Sequence, residues 1–153
     1  MGIYPLDRLI DFLPQKAPFL FVDHVLEVEP LQHVVGTKTF PLGHSIFENH
    51  LPGEPLVPGV IVIEALAQLA GILLVEKTGE PIRGYLGEVS RMRFLRLIRP
   101  GEEILLRADL EQAFGAFARF SARATVTGET AVEGTIILAQ ARPLLQGGEK
   151  ECR

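Results

Sequence analysis

With 153 residues, 47% of them apolar and 22% charged, the chain has the composition of one ordinary globular domain, which argues against whole-chain disorder. A net charge of −4 argues against nucleic-acid binding driven by bulk electrostatics. A lone cysteine, Cys152, excludes an internal disulfide and fits a reducing, cytoplasmic setting.

The opening MGIYPLDRLIDFLP has no basic segment leading into a long apolar run, so no secretory signal is expected. Leu6, Leu9, Ile10 and Leu13 repeat at helical spacing and Pro14 ends the run, which predicts a short amphipathic helix. Phe19 to Glu29 then reads as a strand, with Val22, His24, Leu26 and Val28 on one face. Val34 to Phe40 reads as a second strand, with Gly36 as a bulge. Asp23 and His24 are adjacent strand residues that point to opposite faces, so a solvated or edge role is expected rather than a catalytic pair. From Pro41 to Pro58 the density of proline and glycine predicts a shaped loop.

The next segment, from about Pro58 to Lys77, is apolar on every side and predicts a buried helix, with Gly79 and Pro81 marking its stop. Leu56 to Val75 approaches the length of a membrane span. Pro58, Gly59, Glu64 and Gln68 interrupt it, and no membrane span is expected. Beyond the helix, Gly84–Val89, Met92–Leu97, Glu103–Ala113, Ala116–Thr127 and Thr130–Ala141 read as four or five antiparallel strands joined by Gly-centred turns. This order predicts an α+β fold in which an antiparallel sheet wraps one central hydrophobic helix. Residues 1–145 are expected to form a single domain and 146–153 a polar, frayed tail.

A lone carboxylate in an oily helix must be compensated or used. Glu64 has Gln68 one turn ahead on the same face, and His50 lies fourteen residues upstream in the loop. The free N–H groups of Gly59 and Val60 at the helix start suit a developing oxyanion. Each feature has a plainer reading as well: His50 bonding a backbone carbonyl, Glu64 bridged to an arginine, an ordinary helix start. His24, His33, His44 and His50 lack metal-site spacing, so no metal is expected.

The joined string HLPGEPLVPGVIVIEALAQLAG resembles the signature of the FabZ-type (3R)-3-hydroxyacyl-acyl carrier protein dehydratases, HFPGxPxxPGVLxxEAxAQ. His50, Pro52, Gly53, Pro55, Pro58, Gly59, Val60, Glu64, Ala65, Ala67 and Gln68 fall on it without a gap. The resemblance continues upstream through LPQKAPFLFVDHVLEVEP and downstream through RMRFLRLIRPGEEI and FARFSARATVTGETAVEGTIILA. It implies a hotdog fold, and a homodimer, in places a trimer of dimers, whose sites take His and Glu from different subunits. It also implies dehydration of 3-hydroxyacyl chains on acyl carrier protein in type II fatty acid biosynthesis, with no cofactor. The chain departs from the family at Asn49, usually Gly, at Leu51, commonly Phe, and at Gly87-Glu88-Val89, usually Gly-Ile-Asp. FabA-type isomerising relatives usually carry Asp where Glu64 stands, so isomerisation is not expected.

Under that resemblance His50 is the base for the C2 proton, because imidazole titrates near neutrality. Glu64 is the acid or water-positioning group at the C3 hydroxyl, an apolar setting favouring the neutral carboxyl. Gly59 and Val60 hold the thioester oxygen, with Gln68 in support. Tyr85 and Leu86 are expected beside an apolar acyl tunnel, with Tyr85 as its gate or as plain core packing. Arg91, Arg93, Arg96 and Arg99 form either a docking patch for an acidic carrier protein or a solvated strand face. A hotdog thioesterase and a non-catalytic acyl-binding protein are the alternative classes.

Overall fold

The computed structural model describes residues 6–48, 50–51, 53–78 and 84–140. Asn49, Pro52, Gly79, Pro81 and the tail from residue 141 onward lie outside them. Six strands form one antiparallel sheet: β1 (His24–Glu29), β2 (His33–Thr39), β3 (Gly84–Phe94), β4 (Glu103–Phe114), β5 (Phe117–Val126) and β6 (Glu129–Gln140). Their order across the sheet is β1-β2-β4-β5-β6-β3, so β1 and β3 are the edges. One long helix, α1 (Gly59–Thr78), packs against the sheet, meeting β2, β3, β4, β5 and β6, as the all-round apolar pattern requires.

The alternation on β5 explains how the sheet accepts a helix. Ala118, Phe120, Ala122, Ala124 and Val126 all face inward and are buried. Three alanines on that face leave room for Leu66, Leu69, Ile72 and Leu73 of α1, which are fully buried. Outward positions on β5 carry Arg119, Ser121, Arg123 and Thr125, the polar half of the same alternation.

The first segment is a 3-10 helix, Leu6–Phe12, rather than an α-helix. Spacing of three suits that tighter coil, in which i and i+3 eclipse. Leu9 is buried, and Leu13 just beyond the helix is buried with it. The strand expected from Phe19 begins only at His24. Upstream of it, the Phe21 N–H donates to the Gln68 side chain instead of a neighbouring strand. A register shift between Val25 and Glu27 also breaks the expected parity. Val22 and Val25 are buried while Leu26 is exposed. The bulge therefore lies on β1, not at Gly36. Gly36 serves close approach, since a Cβ there would sit 2.6 Å from the His24 carbonyl and 2.8 Å from a Leu69 methyl.

The two strands expected over 84–97 are one continuous strand, β3, with irregularities at Leu86/Glu88 and Ser90/Arg93. Arg91 takes a positive φ of 54° within the second, which is how the strand absorbs its extra residues. Edge strand β3 is exposed along nearly all its length, including Tyr85, Leu86, Val89 and Phe94.

Asp23 and His24 make separate contacts, as the strand argument anticipates. Asp23 binds the buried Lys38 ammonium at 2.9 Å and the Thr39 N–H at 2.8 Å, while His24 lies 3.6 Å from Asp7.

Candidate active site

His50 sits six residues before Leu56 in the proline-shaped loop. Its Nδ1 lies 3.2 Å from the Leu56 carbonyl oxygen. A carbonyl only accepts, so Nδ1 carries the proton, and in neutral imidazole Nε2 is left with a lone pair. The plain contact with backbone thus also sets the tautomer that a base requires. The loop's far end is anchored where the Val57 N–H donates to Ile98 O at 2.8 Å.

A cavity of about 430 Å³ is lined by His50, Leu51, Leu56, Pro58, Gly59 and Val60, together with Phe94, Ile98 and Val132. At the helix start, Ile61 and Val62 both donate to Pro58 O. The Gly59 and Val60 amides precede these bonds and remain available at the positive end of α1. Gly59 is required by its neighbour: a Cβ there would fall 2.5 Å from the Phe94 ring. Gly59→Ala is expected to push that ring into the cavity and cut turnover about tenfold or more while α1 keeps its helicity, read by steady-state kinetics alongside circular dichroism.

Glu64 belongs to a different opening. It lines a smaller cavity of about 70 Å³ with Ala67, Gln68, Gly71, Leu86 and Leu138, closed at one end by Leu13 and Pro14. Glu64, Ala67, Gln68 and Gly71 follow one another at i, i+3, i+4 and i+7, a single face of α1. No lysine or arginine among the described residues pairs with Glu64, so the bridged reading is not realised. Its partner is Gln68, whose Nε2 donates to Glu64 Oε1 at 3.1 Å. Gln68 is buried and fully engaged: Oε1 accepts from Phe21 N at 2.7 Å, and Nε2 also donates to Phe19 O at 3.0 Å. One amide therefore ties the segment before β1 to the helix and holds the carboxylate.

Within one chain, then, His50 and Glu64 open onto separate cavities. Leu86 lines the Glu64 cavity. Tyr85 lines neither; it pairs with Ala139 on the edge strand and is half exposed, which overturns core packing as its role. Glu88, one of the departures from the family pattern, pairs with Ile137 and also lies outside the Glu64 cavity.

The four arginines divide. Arg96 donates to both oxygens of Glu102, at 2.8 and 3.0 Å, and to Glu129 at 3.1 Å. These bonds, with a further one from the Arg99 N–H, hold the Glu102 carboxyl down at about 2. Arg91 and Arg93 instead line a groove of about 210 Å³ with Arg123, Glu133 and two hydroxyl residues, Ser121 and Thr135. Arg123 enters through sheet register alone, opposite Glu133, and no local pattern in the sequence marks it. Gln15, which lines the same small cavity as Glu64, is equally unmarked.

Among the described residues no group of three His, Cys, Asp or Glu could hold a metal ion, and no helix is long and apolar enough to cross a membrane.

Residues 13–137 match the FabA-like domain family. The chain is 34% identical over 140 residues to a 3-hydroxyacyl-[acyl-carrier-protein] dehydratase FabZ of Erwinia tasmaniensis, covering 90% of this chain and 93% of the relative. It is 37% identical over 135 residues to the FabZ of Clostridium acetobutylicum, covering 86% and 94%. Among solved structures it is similar to the dehydratase heterocomplex ApeI:P from Xenorhabdus doucetiae, with a TM-score of 0.73 at 22% identity over 86% of this chain and 90% of that one. A hypothetical thioesterase protein from Streptococcus pneumoniae shares the fold at a TM-score of 0.61 and 12% identity, covering 76% of this chain and 84% of that one. The sheet-wrapped helix is the hotdog fold, and the chain belongs to the FabA-like family, among its FabZ-type dehydratases.

Proposed function

We propose that this protein dehydrates (3R)-3-hydroxyacyl chains on acyl carrier protein to trans-2-enoyl chains in fatty acid biosynthesis. The observation that carries the reading is one cavity lined both by His50, its Nδ1 held by Leu56 O, and by Gly59 and Val60 at the start of α1, in a chain of this family. His50 Nε2 takes the C2 proton while the Gly59 and Val60 amides stabilise the enolate oxygen that develops on the thioester. Glu64, oriented by Gln68, gives a proton to the C3 hydroxyl, which leaves as water as the C2–C3 double bond forms. The acyl chain passes along Ala67 and Gly71, with Leu86 and Leu138 as its walls.

The active unit is a homodimer, with a trimer of dimers as the larger form. An edge strand exposing Tyr85, Leu86, Val89 and Phe94 is a surface that a second copy would cover. Dimerisation also gives the separate His50 and Glu64 openings a way to meet. Tyr85, half exposed on that edge, would then lie toward the neighbour's site.

Hydration of crotonyl thioesters, the reverse reaction, tests the activity by loss of enoyl absorbance. A thioesterase would release free thiol instead, and an acyl-binding protein would do neither. The acidic carrier docks on Arg91 and Arg93, because Arg96 is held by both Glu102 and Glu129, whereas Arg93 stays exposed and meets only Glu133, at 3.5 Å. Arg91→Ala with Arg93→Ala is expected to raise KM for carrier-borne substrate about tenfold and to leave coenzyme A thioesters nearly unchanged. Equal effects on both substrates would remove the docking role.

A further inference from the structure

The loop that delivers His50 holds a second histidine, His44, near its start. A three-residue 3-10 turn, Ser45–Phe47, opens at His44, whose backbone is extended and whose Nδ1 accepts the Ile46 N–H at 3.2 Å. The next two N–H groups follow in order: Phe47 N donates to His44 O and Glu48 N to Ser45 O, each at 3.2 Å. The turn thus ends close before His50. We propose that His44 is a positioning residue for His50, its ring capping this turn and so setting where the loop presents the base. The inference rests on the reading of His50 given above.

The ring is held from several sides. It meets Phe40 edge-on at 5.3 Å between centroids and lies 6.3 Å from Phe21. Two charged groups face this cluster. Lys38 of β2 stands 5.0 Å over the Phe40 ring, and Asp23, from the segment before β1, pairs with it. Only a neutral imidazole can cap, because imidazolium has no lone pair to accept the Ile46 N–H. Burial first, and then Lys38, push the His44 pKa below its usual 6.5, with Asp23 opposing in part. The unfolded chain takes up this proton near 6.5 and the folded chain only at lower pH. The contribution to stability is therefore complete above 6.5 and is lost as pH falls below it. Both the cap and the neutral state of its ring are kept in the range where a dehydratase would work.

The test compares His44→Ala and His44→Gln, which cannot cap, with His44→Asn, which can. Hydration of crotonyl thioester is expected to lose about five- to tenfold in kcat in the first two, with little change in KM, and to be restored by His44→Asn. Amide exchange at Ile46, Phe47 and Glu48 is expected to quicken in the same two variants. The nitrogen shift of His50 Nδ1, which reports its bond to Leu56, should move with it. His44→Asn should also lose less stability than wild type between pH 6.5 and 5. If His44→Asn is as impaired as His44→Ala, the ring acts by packing on Phe40 and the proposal falls. It falls equally if exchange and the His50 shift are unchanged in His44→Ala. Should the wild-type protein hydrate no thioester, the proposed function fails, and the exchange and His50 arms still decide whether His44 positions the loop.

Discussion

Chains carrying His50→Ala and chains carrying Glu64→Ala are each expected to be inactive alone and to regain about a quarter of wild-type activity when unfolded together and refolded in equal amounts. Under the proposed mechanism each single loss removes a group taking part in proton transfer, with an expected fall of about 10²–10⁴-fold. In a mixed dimer one shared site carries both substitutions and the other carries neither. Half of randomly formed dimers are mixed, and each contributes one intact site of two. A site built within one subunit would leave every site in the mixed dimer damaged, and activity would stay at the level of the single variants. That outcome would overturn the shared site, and it is the reason this experiment outranks either substitution alone. The geometry behind the expectation is the separation of the two groups into cavities of about 430 and 70 Å³ on one chain.

Gln68→Leu is expected to be the most damaging single change that leaves the acid and base themselves in place. Leucine conserves much of the volume but removes three hydrogen bonds from a buried position. The Phe21 N–H, buried beside a fully buried ring, would have no acceptor, and the Phe19 carbonyl would lose its donor. Together these are expected to lower unfolding free energy by about 2–4 kcal/mol, measured by urea titration. For a domain of this size that corresponds to a fall in Tm of roughly 5–15 °C. Catalysis should fall as well, about tenfold in kcat, because Glu64 loses the group that orients it. A variant as stable as wild type would mean that the segment before β1 is held by its phenylalanines and not by the amide.

Much of the site was legible because it is local. His50, Gly59, Val60, Glu64 and Gln68 lie within nineteen residues of one another in sequence, and loop prolines followed by an oily helix leave few ways to arrange them. The face shared by Glu64 and Gln68 follows from helical spacing alone. The walls of the cavities were less legible. Phe94, Ile98 and Val132 reach the His50 cavity from elsewhere in the chain, and Leu13 and Leu138 reach the Glu64 cavity from opposite ends of it. Strand boundaries failed where a long-range partner replaced a ladder bond, as Gln68 does at Phe21, or where a bulge reset the parity, as between Val25 and Glu27.

The sequence by itself determined the α+β layout, the central buried helix and which titratable residues the candidate site contains, since periodicity, breakers and side-chain chemistry are local properties. Tertiary structure alone decided that Gln68 is a three-way tie, that Arg96 is already neutralised and that Tyr85 is half exposed on an edge strand. It alone showed His50 and Glu64 opening onto separate cavities of one chain. Each of these depends on which strand lies beside which, and pairing across tens of residues leaves no periodic trace in the chain.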